Sequence, residues 1–524
     1  MGERAVLVEV ADLDAVLTLH AALAAAPPDG VVDLVPAART VLVGFDPSRL
    51  SLDAVRAWIL TAARQTPDAA ARGPLVEVPV RYGGADLDTT ADLLGIPVAD
   101  LVARHRAAEW TVAFTGFAPG FAYLVSDDWP FDVPRLAEPR TRVPAGAVAL
   151  AGSFSGAYPR ETPGGWRLIG TTDAVLFDPD AADPVLLPPR ARVRFVPERE
   201  RAVMLPGTSP ADGGPDAAAS SSLRAQPCAE PVSAVPTGRP PGALRVVQPG
   251  PSSSIQDLGR PGKAALGVAR SGALDRSSLR IANRLVGNSE EAAAVEIALG
   301  GFRARAETDT WVSVTGALCE VRVDGRARDL YSPLLVPAGA ELWIGSAHAG
   351  LRISLAVRGG VAASPALGSC ATDVLAGLGP APIRAGDLLQ GGEPSAPVPV
   401  VDSFPWTVPP AVIDVCLTAG PRADWFAASA LRALTGTTWS VSARADRVGI
   451  RLDGPELPRV RLGELPSEGM RPGAIQVPPH GRPVVLLADG PVTGGYPVIA
   501  VVTDATLDAL GQARPGDRVR FRRV

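Results

Sequence analysis

The chain has 524 residues, of which 47% are apolar and 20% charged, with a formal net charge of −5. That length holds three or four domains with ample core, and the composition is that of an ordinary soluble globular protein. The negative balance argues against a nucleic-acid partner, and no apolar run approaches the roughly eighteen residues that a membrane span needs. The opening M-G-E-R-A-V-L-V-E-V has an acidic residue where a signal peptide carries a basic region, and it reads as a strand. Cys228, Cys319, Cys370 and Cys416 lie far apart without a C-x-x-C, which disfavours structural zinc and a disulfide framework and suits a reducing cytoplasm.

In chain order, Ala5–Val10 reads as a strand, Leu13–Ala25 as a helix, Val31–Val35 and Thr40–Phe45 as strands, Leu52–Gln65 as a helix and Leu75–Arg81 as a strand. This β-α-β-β-α-β order is the ferredoxin-like pattern and assigns residues 1–80 to a scaffold domain, with Asp12 and Ser51 as helix caps. Asp86–Leu94 and Pro97–Glu109 follow as short helices, the second carrying His105, whose default role is a structural hydrogen bond. From Trp110 onward, strand-like runs alternate with Gly/Pro turns, which places a barrel within residues 81–202. Gly116, Gly120 and the pair Gly164–Gly165 permit backbone angles that a side chain forbids, and such turns can aim several N–H groups at one anion.

Three phrases in this stretch are specific: G-F-A-P-G-F-A-Y-L from Gly116, P-R-T-R-V-P-A-G from Pro139, and E-T-P-G-G-W-R-L-I-G from Glu161. Over roughly Leu75 to Arg194 they resemble the B component of prokaryotic 5-oxoprolinase, also called the Kip-type or allophanate-hydrolase-subunit-1 family. D-D-W-P-F-D-V (Asp127–Val133) departs from the Gly/Leu-rich link usual there. Residues 203–242, rich in Pro, Ala, Gly and Ser, read as a flexible linker. A second body then opens with L-R-V-V-Q-P-G-P-S-S-S-I-Q-D-L-G-R-P-G at Leu244 and G-V-A-R-S-G-A-L-D at Gly267. It continues through R-A-D-R-V-G-I-R-L-D-G (Arg444–Gly454), S-E-G-M-R-P-G-A-I-Q-V-P (Ser467–Pro478) and A-D-G-P-V-T-G-G-Y-P (Ala488–Pro497). From Leu244 to the C-terminus these resemble the C component of 5-oxoprolinase, the allophanate-hydrolase-subunit-2 or biotin-dependent-carboxyltransferase-like family, which is related to urea amidolyase. Lys263 stands where that family usually has an aromatic.

P-A-G-A at Pro144–Ala147 and Pro337–Ala340, and P-G-A-I at Pro472–Ile475, each precede a glycine pair and a closing basic phrase. Three blocks of one plan imply three related barrels, two of them over 243–400 and 401–524. The expected fold class is mainly β with an α+β N-terminal part: a ferredoxin-like domain followed by three barrels, cyclophilin-like by the resemblance.

There is no P-loop, no dinucleotide-binding fingerprint and no biotin-carrying A-M-K-M site. What remains is a set of carboxylates and arginines in Gly-rich turns. Glu161, Asp275, Glu468 and Asp489 are the candidate catalytic carboxylates. Gly116, Gly120, Arg140, Arg160, Gly164, Gly165, Arg260, Arg447, Thr493, Gly494 and Gly495 are the candidate substrate- and phosphate-binding positions; no metal site is expected. The resemblance implies ATP with Mg as co-substrate and a subunit-A-type partner, with phosphorylation of the 5-oxoproline carbonyl oxygen letting water open the lactam to glutamate. Two other functions stay open: a carboxyltransferase-like component of a urea carboxylase/allophanate system, and a Kip-type regulator of a sensor histidine kinase.

Overall fold

A computed structural model describes residues 1–64, 73–198, 242–463 and 465–524. The linker expected over 203–242, except Gly242, lies outside the described residues, as does Cys228. Strand β1 (Ala5–Glu9), helix α1 (Leu13–Ala25), strands β2 (Val31–Pro36) and β3 (Thr40–Phe45) and helix α2 (Leu52–Ala62) form in the expected order. The side chains of Asp12 and Ser51 accept from the amides of Ala15 (2.9 Å) and Ala54 (3.2 Å), which satisfies donors that a first helical turn leaves free. The antiparallel sheet runs β1-β3-β2, and Val16, Leu19, Leu23, Val55 and Ile59 of the helices pack on its apolar face.

The sixth element corrects the boundary expected at residue 80. Strand β4 (Leu75–Tyr82) leaves this sheet and pairs in parallel with Arg192–Pro197. Its inward residues Val78 and Val80 are buried with Trp110, Val193 and Phe195, and its placement there closes a barrel that would otherwise have two open edges.

That barrel is a closed ring of seven strands: Arg167–Thr171, β4, Arg192–Pro197, Trp110–Thr115, Ala122–Val125, Phe154–Ala157 and Ala147–Ala151. A second seven-stranded ring occupies the C-terminal block: Val412–Ala419, Val498–Val502, Ala474–Gln476, Val484–Leu486, Gly449–Asp453, Thr438–Val441 and Arg518–Arg523. Each ring closes through a parallel pairing of its first and last strands. Each also buries a tryptophan whose Nε1–H donates to the carbonyl five residues earlier, Trp110 to His105 (3.0 Å) and Trp439 to Leu434 (2.9 Å). These shared details are the structural counterpart of the sequence repeat. Between the rings, a six-stranded and a five-stranded sheet enclose one core from Leu244 to Leu389. Two facing sheets bury the same alternating apolar residues that a ring would.

His105 is fully buried between the Tyr82 hydroxyl (2.8 Å) and Ser155 Oγ (2.8 Å), and it stacks on Phe195 at 4.5 Å. Burial pushes its pKa down to about 3. The folded histidine therefore stays neutral while the unfolded one takes up a proton below its ordinary pKa, and stability falls as the medium is acidified through that window. This one group should remove roughly 3 kcal/mol of stability between pH 7 and pH 4. His105→Leu, with the residue that Leu434 supplies in the other ring, should lose that increment of pH dependence whatever its absolute stability. Denaturant titrations of both proteins at the two pH values check this; equal pH slopes would refute it.

Candidate functional site

One group of candidate residues in the C-terminal half centres on Arg447. It lies on the loop between Thr438–Val441 and Gly449–Asp453. Its Nη1 reaches Glu296 Oε1 at 2.5 Å, its Nε reaches Asp489 Oδ2 at 2.7 Å, and Nη2 donates to the Gly272 carbonyl at 2.7 Å. Glu296, on the middle block's Ala294–Ala298 strand, also accepts from the Leu274 amide (2.9 Å) and pairs with Arg352 Nε (3.3 Å). Asp489 also accepts from Ser271 Oγ at 2.7 Å. Burial opposes the charge on Arg447, but Glu296 and Asp489 outweigh it and hold the guanidinium above its ordinary pKa. The hub thus ties the middle block to the last barrel.

Two further candidates flank it. Asp275 caps the helix Arg276–Leu285, accepting from the Ser278 amide (3.0 Å) and hydroxyl (2.7 Å) and from Gln512 Nε2 (2.6 Å); burial pushes its pKa up. Arg260 is buried and donates to the carbonyls of Ala366 (3.3 Å) and Ala371 (2.5 Å), while its Nη1 has no hydrogen-bond partner. Near it, burial and the Asp489 charge push Asp373 up to about 6.

Thr493, Gly494 and Glu468 form a second group, at the seam with the first barrel. Glu468–Gly469 pairs antiparallel with Thr493–Gly494, and Gly495 continues that turn. Thr493 Oγ1 accepts from the Phe117 amide at 3.1 Å, and a Cβ on Gly116 would stand 2.1 Å from that oxygen. Gly120, at φ +72°, donates its amide to Leu266 (2.9 Å). The amides of Gly116 and Ala118 are bonded within the turn itself, so Gly116–Gly120 acts as a joint whose donors are already engaged. Buried Glu468 pairs with Arg422, which reaches Glu9 of β1 at 2.9 Å; burial pushes the Glu468 carboxyl up against the pull of Arg422.

The remaining candidates lie on the first barrel. Arg140 pairs with Asp86 at 2.6 Å, and Asp86 also accepts from the Leu168 amide. Glu161 pairs with Arg142 at 2.6 Å in the open. Gly164 lies under the Tyr158 ring and Gly165 beside Pro139. Arg160 packs against Gly377 of the middle block, its Nη1 buried and without a hydrogen-bond partner. The structure therefore gathers Asp489, Arg447, Asp275 and Arg260 near one another, sets Gly116, Gly120, Glu468, Thr493, Gly494 and Gly495 along the seam, and leaves Glu161, Arg140, Gly164 and Gly165 apart from both.

A cavity of about 150 Å³ opens beside the hub. The N-terminal domain supplies Arg4, Asp33 and Leu42; the segment after Arg260 supplies Arg270, Ser271 and Arg276; the last barrel supplies Met470, Arg471 and Asp504. Arg276 is paired with Asp504 (3.3 Å) and Asp508 (2.9 Å), and Arg4 with Asp504 (3.0 Å). Arg270 and Arg471 reach only carbonyls, those of Leu258 (3.3 Å) and Met1 (3.1 Å). Burial, with like charges close by, brings Arg471 down to about 10. Asp33 accepts from the Ala264 amide (3.1 Å), and burial pushes it up. Among the described residues no group of His, Cys, Asp and Glu is placed to hold a metal ion.

The family model for the carboxyltransferase domain, subdomain C and D, matches residues 1–187, and that for subdomain A and B matches residues 266–523. The B component of 5-oxoprolinase from Escherichia coli O157:H7 is 41% identical over 177 residues, 32% of this chain and 79% of its own length. The C component of 5-oxoprolinase from Escherichia coli (strain K12) is 37% identical over 284 residues, 53% of this chain and 90% of its own length. The chain belongs to the family of 5-oxoprolinase B and C components. It carries both in one polypeptide, the B-like half first. The crystal structure of TTHA0988 superposes with a TM-score of 0.83 at 36% identity and covers 99% of each chain, so the same arrangement of two halves exists in another protein.

Within the C-like half, the sequence motifs already contained Arg270 (G-V-A-R-S-G) and Arg471 (E-G-M-R-P-G), but nothing local separates them from the chain's other turn arginines. Asp33, Asp373 and Arg422 carried no local signal at all. The roles of Asp33 and Arg422 arise from contacts between halves, and that of Asp373 from contacts between the middle block and the last barrel. No helix of the described residues is long and apolar enough to cross a membrane.

Proposed function

We propose that this chain is the fused B–C component of a cytoplasmic, ATP-dependent 5-oxoprolinase that opens 5-oxo-L-proline to L-glutamate together with a subunit-A-type partner. The observation that carries this reading is the seam. A B-like and a C-like half lock together through Gly116 on Thr493 and through the Glu9–Arg422–Glu468 bridge, and both halves wall one basic cavity. A lactam resists water because its carbonyl is a poor electrophile. Transfer of a phosphoryl group from ATP to the carbonyl oxygen makes that oxygen a leaving group. Water then attacks the ring carbon and the C–N bond breaks to give γ-glutamyl phosphate, whose acyl–phosphate bond a second water hydrolyses to release glutamate and phosphate. Arginines and backbone amides suit the binding of the anions involved.

The test is a glutamate assay with 5-oxoproline, ATP and magnesium. The chain alone should release little glutamate, and addition of a subunit-A-type protein from the same genome should restore release coupled to ATP hydrolysis. Full activity from the lone chain would refute the need for a partner. No activity in either mixture would favour the carboxyltransferase-like function, which the match to carboxyltransferase domains suggests, or the regulator function.

A further inference from the structure

We infer that the cavity between the N-terminal domain and the last barrel seats 5-oxoproline itself, with its carboxylate between Arg270 and Arg471 and its ring N–H donated to Asp33. This rests on the 5-oxoprolinase reading and adds to it a place and an orientation for the substrate.

Charge is the first argument. Arg4, Arg260, Arg270, Arg276 and Arg471 line the cavity against two carboxylates, Asp33 and Asp504. Asp504 is ion-paired with Arg4 and Arg276, while Arg270 and Arg471 hydrogen-bond to carbonyl oxygens and share its charge at longer range. Arg270 is exposed and Arg471 half-buried, and a small carboxylate between the two would engage both with bidentate hydrogen bonds. In a chain of net charge −5, this local excess of positive charge is a specific feature.

Size and shape are the second. A cavity of about 150 Å³ accommodates a benzene-sized molecule, whereas nucleotide-sized ligands need several hundred. A five-membered lactam with one carboxylate fits this scale, and ATP does not. Val35, Leu42, Val268 and Val492 offer apolar wall for the ring methylenes. Asp33, also in the wall, accepts from the Ala264 and Gly262 amides; the lone pairs of a carboxylate leave room for one more donor, and the lactam N–H is a donor in need of an acceptor.

Location is the third. Asp33 and Leu42 come from the B-like half, whereas Arg270 and Arg471 come from the C-like half, so the cavity exists only where the two are joined. Ser271, in the same wall, donates to Asp489 and so connects the cavity to the hub.

Calorimetric titration of the intact chain tests this with three probes: 5-oxoproline, 2-pyrrolidinone, which lacks the carboxylate, and inorganic phosphate. Wild type should bind 5-oxoproline and neither of the others at comparable concentration. Arg270→Gln should weaken 5-oxoproline binding about tenfold or more, the consequence of removing one charge-assisted partner of the substrate carboxylate. Its melting temperature should stay within a few degrees, because Arg270 holds only one carbonyl. Undiminished binding by the variant, absence of binding by wild type, or equal binding of pyrrolidinone or phosphate would each overturn the assignment. Glutamate release with the subunit-A-type partner is scored separately. Unchanged turnover in Arg270→Gln refutes the cavity and leaves the 5-oxoprolinase reading standing, whereas tight 5-oxoproline binding without wild-type turnover refutes that reading and leaves the cavity.

Discussion

Arg447→Met should lower the stability of the protein by about 3–5 kcal/mol, the usual cost of removing one member of a buried ion pair. The loss comes from what stays behind. Glu296 and Asp489, whose side chains are 7% and 4% exposed, would face each other's charge without the guanidinium that separates them. Arg352 would still offset part of the Glu296 charge. The companion variant Glu296→Gln/Arg447→Met/Asp489→Asn removes the charges together and should recover much of the loss, since it is the unpaired charge that is expensive. Thermal and denaturant unfolding of the two variants checks this. A single variant as stable as wild type would show that the hub does not hold the middle block to the last barrel. Sequence alone suggests Asp489 and Glu468 as reacting carboxylates standing free of the core. Their buried ion pairs mean that any loss of turnover in Asp489→Asn or Glu468→Gln must be read beside a stability measurement.

Gly116→Val should be the most damaging single change at the seam, at about 3 kcal/mol for forced overpacking. A Cβ there would lie 2.1 Å from Thr493 Oγ1 and 2.8 Å from its Cγ2, so either the turn or the Glu468–Thr493 pairing must move. Thr493→Ala deletes both atoms. In a cycle of Gly116→Ala with Thr493→Ala, the double variant should recover much of what Gly116→Ala alone loses, and the coupling should exceed about 1 kcal/mol, within the range of about 0.5–3 kcal/mol found for residues in contact. Unfolding measurements on the four proteins provide the cycle. Additive effects would show that the turn is not a joint.

Much of the architecture was legible because it is written locally. Period-two apolar runs, caps at Asp12 and Ser51 and turn chemistry depend on neighbours a few residues apart, and each formed where those neighbours predict. The repeated Gly/Pro blocks foretold three barrels; the first and last are closed rings that share even the tryptophan bond to the carbonyl five residues back, whereas the middle block stays open as two facing sheets. Where β4 would pair was not legible. Its alternation suits either sheet, and what decides is the long-range closure with Arg192–Pro197.

The site divides in the same way. By itself the sequence determined the kinds of elements, the family motifs and the stock of turn arginines and carboxylates, all properties of short stretches. Only the tertiary structure decided which of those charges meet. Arg447 finds Glu296 across 151 residues, Phe117 finds Thr493 across 376, and Arg422 finds Glu9 across 413. It also decided that Arg270 and Arg471 reach one cavity while hydrogen-bonded to carbonyl oxygens. The physical reason is that pairing and burial of a charge depend on the distance and dielectric between groups brought together by folding, and no local pattern encodes either.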